Sequence, residues 1–246
     1  MKKIHYFCQH FFLMATVVAG SHFLPMQLGQ AQETGRPPIC DFITGNPPNG
    51  QVKCNYEGGD NYVGNFVNGF PEGNGIYVYA NRDRYEGQFR KGLPDGQGTF
   101  IKSDDTRYVG TFKEGQITSG TIIFPNGDRF IGQFDLVRNV STDEVSAQPT
   151  GDGKFIYANG SRFEGRFFAG TPFGEGKFVH ANGIICQGQF FNESLDGKGN
   201  CSYPNGLRYQ GELRGGIPHG VGTITDNKGK SFPGVFRAGQ REDQKK

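Results

Sequence analysis

The chain has 246 residues, with 26 Lys plus Arg against 24 Asp plus Glu, 40 glycines, 23 phenylalanines, 10 tyrosines and no tryptophan. A formal charge of only +2 argues against nonspecific nucleic-acid binding, which needs a strongly basic surface. Abundant glycine and 35% hydrophobic residues suit a thin sheet with one apolar face.

The chain opens with Met1-Lys2-Lys3 and runs into the apolar stretch Phe11 to Gly20, followed by Gly29-Gln30-Ala31. A cationic start, a short apolar core and small residues at its end predict a secretory signal over residues 1–31. The apolar run is too short for a spanning helix and is interrupted by His22 and Pro25. Removing Lys2 and Lys3 leaves 24 acids and an equal number of bases, so the exported chain is neutral. Residues 32–49 are expected to form a linker and N-terminal cap.

From residue 50 to 240 one unit recurs about every 23 residues. Tyr62-Val63-Gly64-Asn65-Phe66, Tyr85-Glu86-Gly87-Gln88-Phe89 and Tyr108-Val109-Gly110-Thr111-Phe112 begin the series, and later copies start at Phe130, Phe163, Cys186, Tyr209 and Phe232. The second half carries paired glycines such as Gly73/Gly75, Gly96/Gly98 and Gly174/Gly176, with a ring two residues on. Both halves have period two, so each reads as a strand with aromatic residues and glycines on one face and polar residues on the other. Glycines beside large rings leave room for a ring to lie over bare backbone. Proline in the internal turn, before its glycine (Pro71, Pro94, Pro172, Pro218), and Asn-Gly between units (Asn126-Gly127, Asn159-Gly160, Asn182-Gly183, Asn205-Gly206) predict short hairpins, the Asn-Gly ones of type I′. The third unit is worn at Thr118, a long loop over 135–150 stretches the fourth, and residues 241–246 form a polar tail.

The pattern resembles the MORN repeat family, whose unit Tyr-x-Gly-x-Phe-x-x-Gly-x-x-x-Gly-x-Gly is matched at every position by Tyr85 to Gly98. Composition, period and resemblance together give an all-β fold: an elongated, single twisted antiparallel sheet of stacked hairpins, a solenoid-like meander of about seven to eight units. The resemblance implies a protein-interaction or membrane-associated module, sometimes found beside an enzyme domain.

Four cysteines remain after the signal. Cys186 and Cys201 replace two aromatic positions of one unit, and Cys40 and Cys54 bracket the start of the array. These two pairings are expected as disulfides in an exported chain; no Cys-x-x-Cys spacing supports a metal site. Arg84, Arg107, Arg129, Arg162 and Arg208 precede the opening aromatic and form either an anion-binding comb or a solvated row paired with Asp83, Asp105, Asp128, Glu86 and Glu164. Tyr79, Tyr157, His180 and Tyr203 stand two residues past the second-strand ring, either as the wall of a binding groove or as edge rings of a thin core. Gly174-Glu175-Gly176-Lys177-Phe178 lacks the spacing of a phosphate loop, and no histidine pair or Ser/His/Asp set stands out. Sequons at Asn139, Asn159, Asn192 and Asn200 matter only in a glycosylating pathway. The reading is a non-enzymatic scaffolding module in the cell envelope or secreted space, without cofactor or metal. It binds a protein partner, or itself end to end through the free last strand near Phe232–Phe236; the alternatives are an anionic membrane surface and a surface hydrolase or glycan binder using the groove.

Overall fold

The computed structural model describes residues 38–138, 145–192 and 194–242. The expected signal, the sequon asparagine Asn139 and residues 243–246 of the tail lie outside them. The described residues form 18 strands and two compact units that divide between Ala147 and Gln148. The N-terminal array comprises β1 (Ile39–Asn46), β2 (Asn49–Asn55), β3 (Asn61–Val67), β4 (Phe70–Val78), β5 (Arg84–Arg90), β6 (Leu93–Ile101), β7 (Arg107–Lys113), β8 (Gln116–Ile123) and β9 (Arg129–Arg138). The C-terminal array comprises β10 (Val145–Ile156), β11 (Arg162–Phe168), β12 (Thr171–Val179), β13 (Ile185–Phe190), β14 (Gly197–Ser202), β15 (Arg208–Arg214), β16 (Ile217–Thr225), β17 (Ser231–Arg237) and β18 (Gln240–Arg241). Within each array every strand pairs antiparallel with the next in chain order. This is the predicted all-β meander of stacked hairpins.

In four units the opening ring folds back over the glycine of its own strand and the glycine opposite. A Cβ built on Gly64 or Gly75 would fall on the Tyr62 ring, one on Gly87 or Gly98 on Tyr85, one on Gly165 or Gly176 on Phe163, and one on Gly211 or Gly222 on Tyr209. No Cβ fits there, which is why the motif spaces glycine two residues after the ring. Two of these rings lie edge-on between two phenylalanines: Tyr85 is 5.1 Å from Phe89 and 5.0 Å from Phe112, and Phe163 is 5.5 Å from Phe167 and 5.3 Å from Phe190. Each such pair contributes about 0.5–1.5 kcal/mol beyond area burial. The tyrosine hydroxyls donate to local carbonyls, Tyr62 to Asn65, Tyr85 to Gln88 and Tyr209 to Glu212, so no buried hydroxyl of these three is wasted.

The turns depart from expectation in kind. The type I′ signature, positive φ at two successive residues, belongs to the turns inside units: Asn68-Gly69, Lys91-Gly92, Glu114-Gly115 and Ala169-Gly170. At the Asn-Gly turns only the glycine has positive φ, and the preceding asparagine bends the chain while its Oδ1 accepts the amide two residues on. The carbonyl of Phe124 accepts from Gly127 and its amide donates to Asp128, a three-residue connection with glycine as the bulge. Proline is likewise not in the turn. Pro71, Pro94, Pro172 and Pro218 sit in strands, buried opposite Phe66, Phe89, Phe167 and Leu213.

Two ladders tie neighbouring units at opposite ends of the strands. At one end a turn glycine donates to a carbonyl of the preceding unit: Gly69 to Pro48, Gly92 to Pro71, Gly115 to Pro94, Gly170 to Pro149 and Gly239 to Pro218. At the other end a side chain accepts an amide of the next unit: Asp60 from Ala80, Asp83 from Ser103 and Ser161 from Ala181. The expected loop over 135–150 is largely strand, because β9 continues to Arg138 and β10 begins at Val145. Nor is the last strand left free. β18 pairs Arg241 with Phe236, the Arg241 side chain covers Gly234, and its guanidinium lies 6.0 Å from the Phe232 ring.

Candidate functional site

Sheet faces opposite the aromatic layer are the accessible broad surfaces, and cross-strand register decides which side chains meet on them. In the N-terminal array one row reads Val63, Ile76, Glu86, Thr99, Val109, Thr121, Ile131 from β3 to β9. The adjacent row reads Val78, Arg84, Ile101, Arg107, Ile123, Arg129. Val63, Val109 and Ile131 are 41–43% exposed although they are large and apolar. A wetted sheet face ordinarily carries polar residues at such places. The sequence does carry the signal: these three fill the position between ring and glycine, where other units have Glu86, Glu164, Gln187 and Gln210.

The equivalent face of the C-terminal array has a different chemistry. Its first row reads Lys154, Glu164, Lys177, Gln187, Asn200, Gln210, Thr223. The second reads Arg162, Val179, Ile185, Ser202, Arg208, Thr225, Ser231. A shallow hollow of about 640 Å³ opens here, lined by Lys177, Gln187, Asn200, Arg208, Gln210 and Thr223 among others.

The five arginines therefore have unequal surroundings. Arg84 pairs with Glu86 at 2.7 Å, and Arg162 pairs with Glu164 at 3.2 Å, where Lys154 also binds at 2.8 Å. The Lys154 ammonium, then Arg162, hold the Glu164 carboxyl below the usual carboxylate range. Arg107, Arg129 and Arg208 are exposed and make no ion pair among the described residues. Arg84, Arg107 and Arg129 share one row with an aliphatic residue between successive arginines. In the C-terminal array Ile185 stands where that spacing would place another arginine, so Arg162 and Arg208 are farther apart.

Tyr79, Tyr157, His180 and Tyr203 all begin the turns between units, each accepting a turn hydrogen bond from the residue three along. The first three extend the aromatic layer: Tyr79 lies 4.8 Å from Tyr77, Tyr157 lies 4.7 Å from Phe155 and 5.9 Å from Phe178, and His180 lies 4.5 Å from Phe178. Tyr79, Tyr157 and Tyr203 are half-buried and His180 is buried. Burial lowers the His180 pKa to about 4, against a hydrogen bond to the Gly216 backbone that acts the other way. Burial also raises Tyr79 and Tyr203 above the ordinary phenol value. None of the four lines the hollow.

Both cysteine pairs stand directly opposite on adjacent strands, with Cα atoms 4.0 Å apart and sulfurs at bonding distance, Cys40 to Cys54 and Cys186 to Cys201. Cys186 takes the place of the opening ring, and Gly188 and Gly199 there face neighbouring backbone. Cys201 lies at the floor of the hollow. Among the described residues no group of three His, Cys, Asp or Glu is arranged to hold a metal ion, and no helix is long and apolar enough to cross a membrane.

Among solved structures, the chain is similar to a point mutant of the TCP10 domain of Danio rerio CPAP, at 15% identity over 81% of this chain and 95% of that one, with a TM-score of 0.38. It is also similar to the TCP domain of Drosophila melanogaster SAS-4 in complex with a proline-rich motif of Ana2, at 12% identity over 82% and 99%, with a TM-score of 0.30. A search of curated protein sequences finds no match. The MORN repeat model matches residues 62–84, 85–107, 108–129, 148–162, 163–185, 186–208 and 209–231. Those repeats cover more than half of the chain, and four of them hold the ring-over-glycine packing at Tyr62, Tyr85, Phe163 and Tyr209; the chain belongs to the MORN repeat family.

Proposed function

We propose that this protein is a non-enzymatic interaction module that acts outside the cytoplasm and docks a protein partner on the open face of its N-terminal array. The observation that carries the reading is the paired rows on that face. β-Branched residues at Val63, Ile76, Val109 and Ile131 run beside Arg84, Arg107 and Arg129. Exposed apolar side chains such as Val63, Val109 and Ile131 in one row of a sheet face are costly to leave wet, and a partner gains by covering them. The arginine row selects a partner with acidic side chains at matching intervals of two strands, roughly 9–10 Å. Catalysis has no comparable support: the carboxylates of Glu86, Asp95 and Glu164 are committed to neighbouring Lys and Arg, and that of Asp83 to a turn amide. The two disulfides support an oxidising compartment, as does the signal-like start of the sequence.

The test is recovery of the partner from the native envelope with the full chain and with a Val109→Asp/Ile131→Asp variant. The variant should lose the partner while keeping its sheet circular dichroism. Retention of the same partner overturns the reading. So does flotation of the unmodified chain with acidic liposomes that is lost on replacing Arg107 and Arg129, because that result assigns the face to lipid headgroups.

A further inference from the structure

The C-terminal array carries a second, chemically distinct surface. From β12 to β17 its open face spans five strand spacings, roughly 24 Å. Across this span the glutamates of earlier units give way to neutral amides. Glu86 and Glu164 sit beside Arg84 and Arg162, but Gln210 sits beside Arg208 and Gln187 beside Ile185. Arg208 is thereby released from the carboxylate that its counterparts hold. Lys177 likewise makes no ion pair among the described residues, because Glu164 is taken by Lys154 and Arg162. No acidic residue lines the hollow. Acids close to its lining residues are engaged elsewhere: Glu175 accepts from Gln189, Glu212 from the Val221 amide, and Asp226 from the Lys228 and Lys230 amides.

We infer that this hollow is a binding site for an anionic polysaccharide bearing carboxylates, with Arg208 as the anion contact and Gln187, Asn200, Gln210 and Thr223 as a ladder for sugar hydroxyls. Amide and hydroxyl side chains each donate and accept, which matches a polyol whose hydroxyls also do both. Arg208 and Lys177 supply positive charge at two points, suited to carboxylates that recur along a chain. An extended peptide is the poorer match, since this part of the face offers neither a strand edge nor a run of apolar pockets. The Cys186–Cys201 disulfide joins β13 and β14 beneath the hollow and fixes the spacing of the strands that present Gln187 and Asn200.

The test uses the full chain, oxidised and made in a host that adds no N-glycans, titrated calorimetrically with oligogalacturonates. The expected result is saturable binding that is lost when the oligomers are methyl-esterified. Arg208→Ala weakens it about tenfold or more, the loss of one charge-assisted contact. Gln210→Glu weakens it as much, by supplying Arg208 with the carboxylate found beside Arg84 and Arg162; the change is tolerated by the fold because glutamate already occupies that place in two units. Arg166→Ala, exposed and outside the hollow, binds as the unmodified chain does. Absence of binding overturns the inference, as does binding that survives both Arg208→Ala and Gln210→Glu in folded protein. Equal affinity for polyglutamate, or binding confined to phosphatidylglycerol vesicles, overturns the polysaccharide assignment.

Discussion

Gly98→Ala isolates the contact that defines the repeat. Gly98 has no positive φ, so alanine suits its backbone and any cost comes from space. The new Cβ would lie 2.5 Å from Cζ and 2.6 Å from Cε2 of Tyr85, and closer still to its hydroxyl. Relief requires the ring to move by roughly 1 Å to reach ordinary van der Waals separation. Tyr85 is fully buried, wedged between Phe89 and Phe112, and its hydroxyl donates to Gln88 at 3.0 Å. Overpacking of this kind costs about 1–3 kcal/mol. Losing the hydroxyl's hydrogen bond adds about 1 kcal/mol. Replacing glycine returns about 0.5–1 kcal/mol of backbone entropy, leaving a net loss of about 2 kcal/mol. Gly58→Ala serves as the control, because nothing lies within 4 Å of its Cβ and its φ is not positive; it should be neutral or slightly stabilising. Urea unfolding followed by tyrosine fluorescence, unmasked by tryptophan, reads both. Adding Tyr85→Ala to Gly98→Ala should cost less than the sum of the single changes by about 1 kcal/mol or more, since the methyl then occupies vacated space. A Gly98→Ala protein within about 0.5 kcal/mol of the original, or strict additivity in the double variant, refutes ring-over-glycine packing as the reason for the motif.

Three further outcomes follow from particular residues. Replacing Cys186 and Cys201 by alanine opens a loop of 15 residues and should lower stability by about 3 kcal/mol, measured as a drop in the urea midpoint that reductant reproduces in the original chain. His180 titrates near 6.5 when unfolded and about 4 when folded, so below pH 6.5 only the unfolded chain gains the proton and stability falls as pH falls toward 4. Between about pH 7.5 and about pH 5 the loss should be roughly 2 kcal/mol, and His180→Tyr, the residue found at Tyr79 and Tyr157, should flatten that slope; an unchanged slope contradicts the assignment. Deleting residues 240–246 uncovers the β17 edge now paired with β18 and should shift sedimentation toward self-association, whereas identical sedimentation would show that Pro233 and the remaining charges already protect it.

Much of the fold was legible because each repeated residue answers to one local rule. The period of two put Tyr85, Gly87 and Phe89 on one face, and the substitution of Cys186 and Cys201 at ring positions placed both sulfurs on that face of paired strands. The turns were less legible, because Asn-Gly serves both a type I′ turn and a glycine-bulged connection. Strand register decides between them, and Asn126 and Asn159 do not have positive φ. Pro71 and Pro94 misled for a related reason. A proline lacking its N–H suits a strand position whose carbonyl does the bonding, here to Gly92 and Gly115 of the next unit. The segment around Asp135 and Pro149 looked like loop because it breaks the period, yet Pro149 repeats the proline carbonyl contact with Gly170. The open faces needed cross-strand register before their rows existed at all. Val63, Val109 and Ile131 are isolated valines and an isoleucine in the sequence, and members of one row only once β4, β5 and β6 lie between the first two and β8 between the last two.

The most direct test of the interaction reading is a photo-crosslinking scan along that face in the native envelope. A photoreactive residue is placed in turn at Val63, Val109 and Ile131, and at Val221 and Gln210 in the other array. One protein adduct of the same mass from all three N-terminal positions, absent from Val221 and Gln210 and lost when Arg107 and Arg129 are replaced, is the predicted result. Lipid adducts alone at those positions, or the same protein adduct from every position in both arrays, would contradict it.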